Sequence, residues 1–373
     1  MSCRVLVSSW LLASLAVAAP GCRPVPTPSP SVLDAFDIPP GTDFPSVHGA
    51  RFGGLSGLAS DAANGEILAI SDDREGSRVF RLRIQESPLR VDPAGVIPLR
   101  GSPVKLDPEG IVLLPGGHLL VSSEGVQNEE PRQPPGIFEY SRDGAFIGAL
   151  DLRTRYLPPE RGPITHGVRA NASFESLALT PDGSSLFTGT ETALTQDGEA
   201  PDFEHGARAR LLEYARQGDR FVPGREWLYE LDPVAKPDFT ANFFVTGLVE
   251  LVALGDGNLL ALERSYASEA GENGREMNRI RLYRVSLAGA SDVSEFDSIA
   301  GRTDLRPASK RLLLDLGTTP GLPRALRALD NFEGLAFLPP RPDGRRLLLM
   351  VSDDNFSKKQ RTWFVRVMID SSW

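Results

Sequence analysis

The sequence predicts an all-β fold, a β-propeller of repeated four-stranded blades. Three observations predict it. One hairpin grammar recurs five times in 373 residues. The paired strands are so uniformly apolar that they read as buried on both faces. A further pair of strand candidates follows each hairpin, giving four per copy, and several alternate apolar and charged residues as half-exposed outer strands should. A lone hairpin cannot bury both faces, whereas several arranged around an axis can.

Met1 to about Cys22 reads as a targeting segment. Arg4 supplies a positive start, Val5 to Ala19 is mostly apolar, and small residues lead to Cys22. Gly21-Cys22 is similar to the bacterial lipoprotein cleavage site, which would lipidate Cys22; Ala19 and Pro20 depart from that pattern. Lipid anchoring, ordinary secretion and an uncleaved anchor all stay open. Residues 23–45 are Pro-rich and read as an extended tether, or as an N-terminal tail without a role. Val32 to Ile38 is a candidate strand that would close the ring against the C-terminal strand. The propeller domain is expected over 46–373. Cys3 and Cys22 are the only cysteines, so the domain has no disulfide and no cysteine chemistry.

The five copies then follow. They are GLSGLASDAANGEILAISDDR from Gly54, DPEGIVLLPGGHLLVSSEG from Asp107 and FESLALTPDGSSLFTGTET from Phe174. LVELVALGDGNLLALERS begins at Leu248 and NFEGLAFLPPRPDGRRLLLMVSDDN at Asn331. Pro and Gly in the connections preset hairpin turns. The strands that follow are expected at 78–84, 136–140, 210–214, 279–285 and 362–369. Lys310 to Asp315 is an extra candidate, so six blades remain open beside five. Two polar segments, 191–208 and 266–278, read as loops leaving the acid-bearing ends of their hairpins.

An acid opens the first strand of copies two to five: Glu109, Glu175, Glu250 and Glu333. Acids close the second strand: Asp72 and Asp73, Glu124, Glu191, Glu263, and Asp353 with Asp354. The start of one hairpin strand lies beside the end of the next, so the acids should gather at one mouth. Clustered carboxylates repel one another, which points to a bound cation, with Ca²⁺ ahead of Mg²⁺ as the partner of hard oxygen donors.

EGIVLLPGGHLLVSSEG, FESLALTPDGSSLFTGTET and NFEGLAFLPPRPDGRRLLLMVSDDNF resemble the repeats of the phytase-like family, also described as the esterase-like activity of phytase. RFGGLSGL at Arg51 resembles its opening motif. The resemblance runs from about Arg51 to the C-terminus and implies a propeller hydrolase.

Two functions follow. One is a metal-dependent hydrolase of phosphate or carboxylic esters. Glu109, Glu175 and Glu333 would be catalytic, and Asp72, Glu124, Glu191, Glu250, Glu263 and Asp353 would hold metal. Arg51, Arg74, Arg169 and Arg264 would bind substrate, because guanidinium takes phosphate in two hydrogen bonds; the plainer reading pairs each Arg with a neighbouring acid. The other function is a non-catalytic cell-surface propeller that binds a ligand or protein around a structural cation. The sequence shows no nucleophile elbow, HExxH, P-loop or dinucleotide motif. A net charge of -9 argues against nucleic acid as a partner. A monomer with a small-molecule ester as ligand is expected, with membrane contact only through a lipid anchor.

Overall fold

Hairpin chemistry builds each blade, and the ring follows from burying both faces. The computed structural model describes residues 30–271, 273–320, 322–339 and 346–369. It forms five four-stranded antiparallel sheets. Blade 1 is β2 (Leu55–Asp61), β3 (Glu66–Ser71), β4 (Arg78–Glu86) and β5 (Leu89–Pro98). Blade 2 is β6 (Pro108–Leu113), β7 (Leu119–Ser123), β8 (Gly136–Tyr140) and β9 (Phe146–Ala149). Blade 3 is β10 (Ala178–Leu179), β11 (Ser185–Gly189), β12 (Arg208–Gln217) and β13 (Arg220–Glu230). Blade 4 is β14 (Phe243–Ala253), β15 (Asn258–Ser268), β16 (Glu276–Ser286) and β17 (Ser309–Asp315). Blade 5 is β18 (Asn331–Phe337), β19 (Arg346–Asp353), β20 (Thr362–Ile369) and, from the other end of the chain, β1 (Ser31–Ile38).

β1 pairs antiparallel with β20, from Ser31 opposite Met368 to Ile38 opposite Thr362, and so closes the ring as the tail sequence suggested. The inner strands β2, β6, β10, β14 and β18 each touch the next around the circle. The second strands β3 and β7 are buried at every residue, whereas β5 alternates buried and exposed positions. The core is five wedges, one between each pair of adjacent blades. Leu260, Leu262 and Ile280 of blade 4, for example, meet Leu335, Met350 and Val365 of blade 5. Burying a side chain of that size is worth roughly 1.5–3 kcal/mol, so the wedges hold a ring that has no disulfide.

Two expectations are corrected. Lys310 to Asp315 belongs to β17, which pairs with β16 as the outer edge of blade 4, so the blade number is five. The long stretch before it packs Val293 and Ile299 on Leu228 as a small satellite core. The segment 266–278 is mostly strand: β15 runs to Ser268 and β16 starts at Glu276, with Tyr266 opposite Asn278. Alternation of Tyr266, Ala267 and Ser268 supports that extension once β16 lies beside it. Cys22, the targeting segment, most of the tether and the turn at 340–345 lie outside the described residues.

Candidate functional site: a carboxylate bowl at one mouth of the ring

Each inner strand has one extra residue at its acid-bearing end, within the strand or, in blade 3, just before it, and these irregularities re-aim the side chains near the mouth. In β2, Leu55 pairs with Ser71 and Gly57 with Ile70, which leaves Ser56 extra. The same step leaves Val249 extra in β14 and Glu333 extra in β18. In blade 2 the irregularity spans Pro108 to Ile111 and contains Glu109; in blade 3 it lies between the Phe174–Thr190 bridge and Ala178, and contains Glu175. A bulge adds one residue to one strand and re-aims the side chains around it. One station is therefore Ser56, Glu109, Glu175, Val249 and Glu333. A second lies at the ends of the partner strands. Asp72, Glu124 and Glu191 donate their backbone N–H to Gly54, Asp107 and Ser173, while Arg264 pairs with Gly247 and Asp353 with Asn331.

The charged residues of these stations line a cavity of about 960 Å³, whereas Ser56 donates to the Pro108 carbonyl oxygen and Val249 packs into the wedge between blades 4 and 5. Asp72, Asp107, Glu109, Glu124, Glu175, Glu191, Glu333 and Asp353 line it, with Arg264 and Arg74 among them. All except Asp72 among these acids are buried, Glu124 and Glu191 to 2% exposure. Single oxygens of Asp107, Glu109 and Glu124 lie within 4.8 Å of one another, as do those of Glu124, Glu175 and Glu191. Glu124 thus joins two triads, and Ser173 N–H donates to its Oε1 at 2.5 Å. Asn331 Nδ2 donates to Glu333 Oε1 at 2.9 Å and to Asp353 Oδ2 at 3.4 Å. Arg264 Nη2 lies 3.4 Å from Glu333 and 3.6 Å from Glu191. Arg74 pairs with Asp107 and donates to Asn171 Oδ1 at 3.3 Å. Asp72 Oδ1 is buried without a hydrogen-bond partner.

The electrostatics follow from burial and crowding. Burial, then the neighbouring Glu333 and Asp107, pushes Asp72 up to about 7. Burial, then Glu191 and Asp107, pushes Glu124 up to about 8. Glu191 is pushed up to about 7 by burial, with Arg264 opposing and Glu333 adding. Glu109, Glu175 and Asp353 are held well above the carboxylate range, again by burial first and by adjacent acids second. Such a group binds protons or cations at neutral pH, because either removes its like-charge repulsion.

Several of the residues singled out in the sequence land elsewhere. Glu250 does not reach the mouth. Its bulge puts it at the station of Gly57, Gly110, Ser176 and Gly334. There the inner strands pack backbone on backbone: a Cβ on Gly110 would lie 2.7 Å from Leu177 N, and one on Gly57 2.5 Å from the Glu109 carbonyl oxygen. Glu250 Oε1 accepts the Leu251 N–H at 2.9 Å, and the carboxylate also takes N–H groups of Leu177 and Leu335. It stitches three blades at the waist of the ring. Glu263 lies one residue off as well, opposite Leu248, and bonds Tyr229 Oη at 2.8 Å and Lys310 Nζ at 2.5 Å away from the bowl. Arg264 fills the fifth acid place instead. Arg51 stacks on Phe356 at 4.6 Å and donates to its carbonyl. Arg169 lines the cavity but donates to the Ala193 and Gly198 carbonyls, and so pins the loop after Glu191. Asp73 pairs with Arg78, and Asp354 accepts from Gly54 N–H.

Asp107 and Asn331 were missed, although both stand in the quoted copies. The phase error in copy four also had a signal. Counting back five residues from Asp61, Leu114, Thr180 and Leu338, each at the start of its hairpin turn, reaches Ser56, Glu109, Glu175 and Glu333. The same count from Leu254 reaches Val249, not Glu250.

A family model described as "Phytase-like: Esterase-like activity of phytase" matches residues 50–356. An "Uncharacterized secreted protein" of Arthroderma benhamiae is 24% identical over 211 residues, covering 50% of this chain and 41% of that protein. The chain therefore spans well under half the length of that relative. Among solved structures, an endo-arabinase from Bacteroides thetaiotaomicron is 12% identical with a TM-score of 0.43, covering 90% of this chain and 99% of that one. A luciferin-regenerating enzyme is 12% identical with a TM-score of 0.36, covering 86% and 93%.

Proposed function

This chain belongs to the phytase-like family, and from that premise we propose that it is an exported hydrolase of esters or phosphate esters that works with divalent cations in the carboxylate bowl, Ca²⁺ ahead of Mg²⁺. The supporting observation is the pair of buried carboxylate triads joined at Glu124 inside an open cavity. The donor set of the two triads is all carboxylate oxygen, so the residues fit a hard cation. Asp107, Glu109 and Glu124 would hold one cation; Glu124, Glu175 and Glu191 would hold a second. A cation bound there polarises an ester or phosphoryl oxygen and lowers the pKa of a water. Arg264, between Glu191 and Glu333, binds an anionic oxygen of the substrate. Glu333, tied to Asn331, keeps that guanidinium in place. Asp72 takes up a proton from water at Oδ1. Glu109 and Glu175, singled out in the sequence as catalytic, act in this proposal as ligands.

Export rests on the targeting segment read in the sequence and on a relative named as secreted. Among the described residues no helix is long and apolar enough to cross a membrane. Lipidation at Cys22 and a monomeric state remain part of the proposal.

The burial of Glu124 and Glu191 favours a second reading, a cell-surface binding propeller whose cation is structural. The full chain separates the two. Ca²⁺ and Mg²⁺ binding is measured by calorimetry, and p-nitrophenyl phosphate, bis-p-nitrophenyl phosphate and p-nitrophenyl acetate are assayed with and without chelator. Chelator-sensitive turnover lost in Glu124→Gln supports the hydrolase. Binding with a raised Tm and no turnover supports the structural cation. No cation binding removes both.

A further inference from the structure

On one side of the bowl the wall is aromatic. β14, β15 and β16 extend past the acid stations as a three-stranded flap, with Gly247 opposite Arg264, Val245 opposite Tyr266 and Phe243 opposite Ser268, and with Asn278 of β16 on the far side of Tyr266. Paired antiparallel residues share a face, and that face repeats every second residue. Arg264, Tyr266 and Phe243 therefore form one stripe that climbs from the acids to the rim. The Phe243 and Tyr266 ring centroids lie 6.1 Å apart, and both rings line the cavity. Phe243 is 58% exposed and Phe244 37%, so two of the five exposed large hydrophobics among the described residues stand at this one place. Phe244 rests on Phe203 at 4.4 Å, from the loop that follows Glu191, which braces the flap. Eleven acidic and three basic residues line the bowl. Two divalent cations would still leave an excess of acid, which repels a ligand carrying many anionic groups.

Resting on the hydrolase reading, we infer that the substrate joins a single metal-binding oxygen group to a flat apolar or aromatic moiety, which lies on Phe243 and Tyr266 while the oxygen group sits by Arg264. Densely phosphorylated substrates are excluded. A large exposed ring beside a polar site is otherwise unfavourable surface, and covering it contributes affinity.

The test uses the full chain with saturating Ca²⁺ and calorimetric titration of phenylphosphonate, methylphosphonate and inositol hexakisphosphate. Phenylphosphonate should bind about tenfold more tightly than methylphosphonate, the factor expected from covering one ring face. Phe243→Ala should erase most of that ratio and leave Ca²⁺ affinity unchanged, since the side chain sits on the rim. Equal binding of the two phosphonates, a ratio that survives Phe243→Ala, or tightest binding of inositol hexakisphosphate would each overturn the inference. So would no phosphonate binding at all. The hydrolase reading is judged separately, by chelator-sensitive turnover of the nitrophenyl esters. Turnover with no aromatic preference therefore sinks this inference and spares that reading.

Discussion

The same five inner strands make two mouths of opposite chemistry. At one end the strands present Glu109, Glu175 and Glu333, and their partners add Asp72, Glu124, Glu191 and Asp353. At the other end, two residues further along each strand, stand Leu58, Ile111, Leu177, Leu251 and Leu335, which line an apolar cavity of about 740 Å³. Between them lies the waist of Gly57, Gly110, Ser176, Gly334 and the Glu250 carboxylate. The aliphatic end stabilises the ring independently of pH, because burying apolar side chains needs no ionised partner. The acidic end opposes folding more as its buried carboxylates ionise. A repeat can thus carry aliphatic packing at one end and a buried carboxylate cluster, with its pH dependence, at the other.

That contrast is sharpened most by pH and metal. Asp72 and Glu191 have folded-state pKa values pushed up to about 7 and Glu124 to about 8, and Glu109, Glu175 and Asp353 are also held well above their unfolded values. The folded protein then binds more protons than the unfolded chain between about pH 4.5 and 8, so metal-free stability should fall as pH rises through that window. Ca²⁺ at a thousandfold its Kd should add roughly 4 kcal/mol, on the order of 5–10 °C in Tm. The gain should grow from pH 5 to pH 8 as protons stop competing. Thermal unfolding at both pH values, with Ca²⁺ and with chelator, checks this; parallel pH profiles would refute it. Glu124→Gln should abolish the Ca²⁺ response while raising metal-free stability at pH 8, because it removes a repelling charge.

The opposite mouth should behave in reverse. Leu335→Ala should cost about 2–5 kcal/mol in denaturant unfolding, at every pH and with Ca²⁺ affinity unchanged. A shift in Ca²⁺ affinity would mean that the waist transmits strain.

Glu250 tests the waist. Glu250→Ala strips the acceptor from the Leu177, Leu251 and Leu335 N–H groups and should cost about 1–3 kcal/mol or more, since unpaired buried donors are expensive. Glu250→Gln keeps one acceptor oxygen and should lose less. Both should bind Ca²⁺ as the parent does, and weakened binding would return Glu250 to the ligand set. The smallest effect belongs to Glu263→Gln, which should leave Ca²⁺ affinity within twofold of the parent. Arg264→Gln, one residue away, should tighten Ca²⁺ binding by removing a competing cation and weaken phosphonate binding.

Much of this was legible in the sequence, residue by residue. The turns at Pro115-Gly116-Gly117 and Pro181-Asp182-Gly183 and the apolar runs beside them are local signals, and they marked each blade. Seven of the nine acids proposed for the site reached the bowl. Glu250 and Glu263 did not, because copy four was read one residue out of phase, and strand side chains alternate faces with a period of two. Arg264 was named as a substrate residue, but its place in the acid ring was visible only from the pairing of Gly247 with it.

The sequence by itself determined the hairpins, their number of copies, the closure by residues 32–38 and the acidic character of one mouth. Each of these follows from turn residues, strand periodicity and repetition, which act over a few residues. Only the tertiary structure decided the bulge in each inner strand, the glycine waist with Glu250 across it, and the aromatic flap above Arg264. Those depend on how closely five backbones approach at an axis, a distance that no single repeat encodes.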